Sequence, residues 1–373
     1  MKILLLSRYT DAGPSSRYRS FQYLPYLRTL GHEITVAPLL GDLYLKRRSA
    51  SSPIPVFNVM RSYLNRVAIL LRARQFDLIW IEYEAFPWIP YWFESLLLSS
   101  GIPYMVDYDD AVFHRYDQHS SPIIRGILGK KIDRVMKGAD LVLAGNEYLA
   151  DRARQSGSRW IEILPTVIDL CRYPLTPQSP NERFTIGWIG SFSTGRYLME
   201  IEEALKNVST SGRARIVIIG ATPPNQDVIK YDIKQWRSEE LEIEECLKFD
   251  VGIMPLPDAP WERGKGGHKL IKYMAASRPV IASPVGINRS IVDHGVNGFL
   301  ASTALEWITS LNILRDDEKL RALMGLAGRR KVETKYCIQV TGPILADLMT
   351  EVVRESHGRN NEPQGLPRLE ADR

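Results

Sequence analysis

The chain predicts two α/β domains, each a doubly wound parallel sheet, and three observations carry that prediction. Short apolar runs alternate with stretches of helical period along nearly the whole length. Residues 170–183, rich in Pro, Ser and charge and without any period, interrupt the alternation, which then restarts. At 373 residues, the chain is also longer than one ordinary compact domain. The expected limits are 1–169 for the first domain, 170–183 for a linker and 184–336 for the second domain. A last helix is expected over 337–354, and a polar tail over 356–373 is expected to be disordered.

The elements follow in order. Residues 3–6 form an apolar strand that ends at a loop with Gly13 and Pro14. Tyr18, Phe21, Leu24, Leu27 and Leu30 then recur at helical spacing until Gly31 ends the helix, and a second strand covers 33–37. Residues 38–55 show no period. A basic helix is expected over 57–74, and further strands at 77–81, 104–106, 141–144 and 161–164. Helical patterns at 91–98, 123–136 and 147–155 lie between them. Beyond the linker, strands are expected at 184–189, 215–219, 250–254 and 279–282. Helices are expected at 197–208, 239–247, 303–314 and 317–334. The two halves are alike in architecture and not in sequence.

Composition narrows the function. A hydrophobic content of 45% and a charged content of 24% are ordinary for globular proteins. A net charge of +5 allows an anionic small molecule or an anionic membrane surface and is too weak to argue for nucleic acid, so no nucleic-acid partner is expected. Cys171, Cys246 and Cys337 are far apart, and no Cys/His cluster has zinc spacing, so reduced thiols in a cytoplasmic protein are expected and no metal. The N-terminal apolar run is too short for a signal sequence, and nothing approaches the roughly 18 apolar residues of a membrane span. No G-x-G-x-x-G follows the first strand with an acid about 20 residues on, which argues against a nicotinamide oxidoreductase.

Open parallel sheets bind ligands outside the carboxyl ends of their strands, so two such domains place two loop-bearing edges across a cleft. That suits a reaction joining two substrates. In PLPDAPWERGKGGHKLIKYMA a strand enters a glycine-rich loop and a helix opens near Gly267. Unpaired amides there, with Lys265 and Lys269 and the freedom of Gly266 and Gly267, suit a diphosphate. Gly190 and Ser191 close another strand, where they either meet the same diphosphate or only make a turn. In GPSSRYR, Gly13 shapes a turn and Ser15 or Ser16 can cap the helix. Arg17 and Arg19 oppose the helix dipole, so they are either solvated or bind a phosphate or an acidic acceptor. VDYDDAVF puts Asp107, Asp109 and Asp110 at the end of an apolar strand. Clustered carboxylates repel, so partners, an N-cap role or a divalent metal are the alternatives. The aromatic stretch 85–93 is either core or an acceptor-side wall. The helix over 57–74 carries Arg61, Arg66, Arg72 and Arg74 with Val59, Leu64, Ile69 and Leu70. It either packs with a solvated basic face or lies on anionic lipid, giving a peripheral membrane location.

The strings YMAASRPVIASPVG and HGVNGFLA, with ADLVLAGNEYLADRARQSG and ILPTVID upstream, resemble the retaining glycosyltransferases of the large family-4 group. The resemblance implies the GT-B fold, two Rossmann-like domains facing a cleft, with the last helix crossing back onto the first domain. It implies a nucleotide-diphospho-sugar as donor substrate, held by the second domain without a cofactor or a metal. The acceptor would be a sugar, lipid-linked or other hydroxyl, in polysaccharide or glycoconjugate synthesis. Asp109 and Asp110 stand where the family has a His, often followed by Asp, that touches the donor sugar, and Glu262 is nearest to the first acid of the family's Glu pair. The chain departs from the family at Lys272, which stands where the second acid holds the ribose. It departs again at Ser191, Ser193 and Thr194, with Arg196 near by, in place of a basic pair. The diphosphate charge is therefore expected on Lys265 and Lys269. A nucleotide-sugar epimerase of the same fold and a non-catalytic nucleotide-sugar binding protein are the alternatives.

Overall fold

The computed structural model describes residues 1–49, 52, 53, 55–99, 101–175, 181–210, 212–223 and 229–361. Its strands are β1 (Lys2–Leu6), β2 (Glu33–Val36), β3 (Leu78–Glu82), β4 (Tyr104–Tyr108), β5 (Leu141–Ala144) and β6 (Ile161–Ile163), then β7 (Phe184–Ile189), β8 (Ala214–Ile219), β9 (Tyr231–Lys234), β10 (Val251–Met254), β11 (Val280–Ala282) and β12 (Gly298–Leu300). They form two six-stranded sheets, ordered β2-β1-β3-β4-β5-β6 and β12-β11-β10-β7-β8-β9. The strand pairs are parallel, for example Ile3 opposite Ile34 and Leu78, and Gly252 opposite Val280. Parallel sheets are covered on both faces, and this is why the central strands read as unbroken apolar runs. Leu4, Leu6, Ile79, Ile81 and Val106 pack on one side of the first sheet, and Ile3, Leu5, Trp80 and Met105 on the other. The second sheet is built the same way around Trp188 and Ile253 on one side and Phe249 and Tyr273 on the other.

The last helix, Ile338–Asn361, lays Leu345, Met349 and Val352 on the first sheet's core with Ile3, Trp80 and Leu143. It runs past Arg354, so residues 356–361 are helical where a tail was expected. Polar composition at a helix end describes a solvated surface as well as it describes disorder. Residues 362–373 and 176–180 lie outside the described residues. Residues 38–55, expected to be irregular, contain a helix at Asp42–Ser49 too polar to show an apolar stripe. The edge strand β9, reading YDIK, also escapes notice in the sequence, because only its pairing with β8 defines it.

A buried ion pair joins the first helix to the sheet beneath it. Arg19 donates from Nε (3.0 Å) and from Nη2 to the Asp107 carboxylate, and from Nη1 to the Leu164 carbonyl (2.8 Å). Both side chains are 2% exposed. Removing one partner strands a buried charge, so Asp107→Ala is expected to lower unfolding free energy by about 3–5 kcal/mol. The double variant Asp107→Leu/Arg19→Met is expected to recover most of that loss, with urea denaturation as the measurement.

Candidate functional site

Each sheet reverses its strand order at one place, between β1 and β3 in the first and between β7 and β10 in the second. Loops leaving the carboxyl ends of strands on either side of such a reversal diverge and open a crevice. The loop after β1 carries Gly13 to Arg19, and β3 ends at Glu82 and Tyr83. Gly190 and Ser191 follow β7, and Glu262 to Lys269 follow β10. The two crevices face each other. A Cβ added to Gly264 would lie 2.7 Å from the Ala111 amide nitrogen, and one on Gly266 would lie 2.6 Å from Thr166 Oγ1. Asn146, which caps its own helix through Leu149 N (3.0 Å), also donates to the Lys265 carbonyl (3.1 Å) across the interface.

On the second-domain side the helix His268–Ala275 opens behind Gly267, whose φ of 66° is one that side chains rarely adopt. Among the described residues the amides of Gly266, Gly267, His268 and Lys269 meet no hydrogen-bond acceptor. The Lys269 ammonium lies 4.0 Å from the centroid of the Trp188 ring and has no carboxylate partner among the described residues. Burial, with Lys265 and Lys272 close by, lowers its pKa to about 7. Lys265 spans the cleft to Asp110 (3.1 Å), and this pair keeps the ammonium charged despite burial. Glu262 is buried and accepts from Tyr197 OH (2.5 Å), with Arg196 at 3.8 Å.

On the first-domain side two acids and a tyrosine converge on one serine. Ser15 Oγ lies 2.7 Å from Tyr83 OH, 3.0 Å from Glu82 Oε1 and 3.3 Å from Asp109 Oδ1. Tyr83 OH donates to Asp109. Glu82 also accepts from Ser16 Oγ (2.6 Å) and the Arg8 amide (2.9 Å). Burial raises Glu82 to about 7, against the lowering effect of those two bonds. Asp109 and Asp110 diverge, one to Tyr83 and Ser15 and the other to Lys265. Among the described residues no group of three or more His, Cys, Asp or Glu side chains is arranged to hold a metal ion.

Several expected site residues are placed differently. Ser16 is wholly buried and serves Glu82, and neither Ser15 nor Ser16 caps the helix Pro14–Arg19, which starts at Gly13 without a side-chain cap. Arg19 points inward to Asp107, because residues two apart on a helix face nearly opposite ways. Arg17 alone reaches the cleft, over the Trp236 ring (5.2 Å) and 3.9 Å from Glu239. The amides expected at Gly190 and Ser191 are occupied, the first by the Ile219 carbonyl (2.9 Å) and the second by Thr194 Oγ1 (3.0 Å). Lys272 is neither solvated nor free. It pairs with Glu242, donates to Tyr18 OH (2.8 Å), and is 4% exposed. Sequence reasoning missed Glu82 and Tyr83, although an acid closing an apolar strand is the signal that singled out Asp109.

The Glu82 carboxyl gives a pH signature. Its folded pKa of about 7 exceeds the ordinary 4.5, so its stabilising contribution is complete below pH 4.5 and is lost as pH rises through 7. Relative to Glu82→Gln, the unvaried protein is expected to lose roughly 3 kcal/mol of stability between pH 4.5 and 7.5. Urea denaturation across that range measures it, and a constant difference between the two proteins contradicts it.

Residues 183–317 match the family described as Glycosyl transferases group 1. The chain is similar to the capsular polysaccharide biosynthesis glycosyltransferase CapM of Staphylococcus aureus, at 24% identity over 187 residues, or 48% of this chain and 49% of that protein. It thus spans about half the length of the curated relative it matches. In structure it resembles the sucrose-phosphate synthase of Thermosynechococcus elongatus, with a TM-score of 0.73 and 15% identity over 95% of this chain and 100% of that one. It also resembles HepE of Anabaena, solved in complex with UDP and glucose, with a TM-score of 0.68 and 16% identity over 94% of this chain and 99% of that one. The chain has the GT-B fold, and its second domain is related to the group 1 glycosyltransferases.

Proposed function

We propose that the protein moves a sugar from a nucleotide-diphospho-sugar to an acceptor hydroxyl, with retention and without a metal. One observation carries this reading: at the second sheet's strand-order reversal, Lys269 has no carboxylate partner and the amides from Gly266 to Lys269 no acceptor among the described residues. An anionic diphosphate matches that arrangement in charge and in hydrogen-bond polarity. As the sugar–phosphate bond breaks, negative charge grows on the leaving diphosphate. Lys269, Lys265 and those amides stabilise it with donors already in position. Lys265 exchanges Asp110 for phosphate in this scheme, and Asp110 turns to the sugar. Glu262, oriented by Tyr197, holds sugar hydroxyls. Asp109, held by Tyr83 and Ser15, orients the incoming acceptor. The acceptor proton passes to the departing phosphate, so no protein nucleophile is assigned. The uridine nucleotides of the HepE complexes support UDP as the first donor base to try. The CapM likeness supports a surface-polysaccharide role.

The helix Val56–Leu70 adds a membrane-facing surface to this reading. Val56, Phe57, Met60, Leu64 and, just beyond, Leu71 are exposed, with Arg61, Arg72 and Arg74 beside them. Arg66 is excluded from that face, since it is buried and donates to the carbonyls of Ser7, Ala37 and Ala85. Phe57→Asp is expected to reduce sedimentation with phosphatidylglycerol vesicles and leave UDP affinity unchanged. Equal binding of the unvaried protein to neutral vesicles counts against an anionic surface.

A bound diphosphate favours the charged form of Lys269 and raises a pKa that lies at about 7 in the free protein. UDP binding at pH 8 is therefore expected to take up protons, and affinity is expected to fall between pH 7 and 9. Calorimetry in two buffers of different ionisation enthalpy reads the uptake. Lys269→Met is expected to abolish it and to weaken UDP at least about tenfold. Binding of UDP with no proton uptake contradicts the assignment.

A further inference from the structure

The loop between β3 and the helix Tyr91–Leu98 holds an exposed indole in an unusual backbone state. Trp88 has φ of 64°, and among the described residues only Tyr83 and Ser277 are other non-glycine positions with positive φ. Trp88 is 43% exposed, whereas Phe86 in the same loop is wholly buried. A large residue at positive φ costs folding energy, and an indole left 43% exposed recovers only part of what full burial would return.

The loop is nevertheless pinned group by group. Ala85 N donates to Glu94 (2.6 Å), and the Ala85 carbonyl accepts from Arg66 (3.3 Å). The Phe86 carbonyl accepts from Lys131, the Pro87 carbonyl from Tyr63 OH (2.7 Å), and Trp88 N donates to Tyr116 OH (3.0 Å). These anchors come from four helices. Lys131, itself buried, also pairs with Glu84 (2.7 Å) and Glu94 (3.2 Å), and Tyr116 donates to Glu84 (2.8 Å). Strained backbone persists where its surroundings over-determine it, and such places concentrate at ligand sites. The indole meets Tyr116 and His119 edge-on, at ring separations of 5.2 and 5.8 Å, so part of its surface stays open.

The loop leaves the carboxyl end of β3, and its other positive-φ residue, Tyr83, donates to Asp109 in the cleft. We infer that Trp88 is a stacking platform for a pyranose ring of the acceptor, held in place by the buried Lys131–Glu84–Glu94–Tyr116 network. A pyranose presents polarised C–H groups on one face, which the negative face of an indole attracts. Rigid pinning limits the ordering cost of binding. The inference rests on the transferase reading for the direction of acceptor entry.

The test uses the full chain labelled with 5-fluorotryptophan, with the Trp88 ¹⁹F signal identified from Trp88→Phe. Methyl glucoside, galactoside, mannoside and N-acetylglucosaminide are titrated in the presence of UDP. Glycerol serves as the open-chain control and phosphatidylglycerol vesicles as the lipid arm. A saturable shift of the Trp88 signal with at least one pyranoside, absent with glycerol, is expected. Trp88→Ala is expected to weaken that pyranoside at least about fivefold with UDP affinity within about twofold. No shift with any pyranoside, an equal shift with glycerol, or a shift with vesicles alone overturns the inference. Failure of UDP to bind sinks the transferase reading separately, while the pyranoside titration is still read on Trp88 itself.

Discussion

Gly264 and Gly266 lie against Ala111 and Thr166 with no room for a side chain on either glycine, and the loop they belong to carries Lys265 and leads into the helix that carries Lys269. A methyl group at either position would drive the loop off the first domain. Asn146, with one side-chain amide, closes its own helix and grips the carbonyl of Lys265 in the other domain. Arg17 reaches over Trp236 from the first domain, and Tyr18 accepts from Lys272 of the second. The loop after β10 is thus positioned as much by the neighbouring domain as by its own sheet, and the placement of Lys265 and Lys269 depends on that contact.

The distribution of charge follows from this geometry. Lys272 brings a cation into a buried position, and Glu242 from the adjacent helix Glu239–Cys246 neutralises it, with Trp236 donating to the same carboxylate (2.7 Å). Lys265 is neutralised by Asp110 across the cleft. Lys269 is left facing an aromatic ring and unpaired amides, an environment that disfavours its charge until an anion arrives. The first domain shows the opposite imbalance. Glu82 is a buried acid with hydroxyl and amide donors and, among the described residues, no ion-pair partner within 4 Å of its oxygens, and burial drives it toward the neutral form. Among the described residues, one lobe holds a buried lysine and the other a buried acid, each without a salt-bridge partner.

Much of this was legible in the residues. Parallel sheets write themselves as continuous apolar runs, so β1, β3, β5 and β10 stand out, and the acids closing β4 are conspicuous because three carboxylates in a short span gain nothing from proximity. Lys265, Lys269 and the glycines between them are readable as an anion loop because spacing and residue type both point there. What the sequence conceals is side-chain direction. Arg17 and Arg19 look equivalent in the string, and only a short helix seated on β4 sends one into the cleft and the other onto Asp107. Gly190 and Ser191 look free at a strand end, but neighbouring strand and turn contacts consume their amides. Trp88 reads as one more aromatic in a core-like run, and its open surface depends on φ and on long-range anchors that no local pattern encodes.

The central claim is that the strand-order reversal of the second sheet holds a diphosphate at the start of the helix His268–Ala275. A crystal structure of the protein with UDP-glucose bound tests it most directly. The account predicts phosphate oxygens within about 4 Å of Lys269 Nζ and hydrogen-bonded to the amides between Gly266 and Lys269. A diphosphate bound elsewhere, with the Lys269 ammonium still against Trp188 and those amides unoccupied, contradicts it.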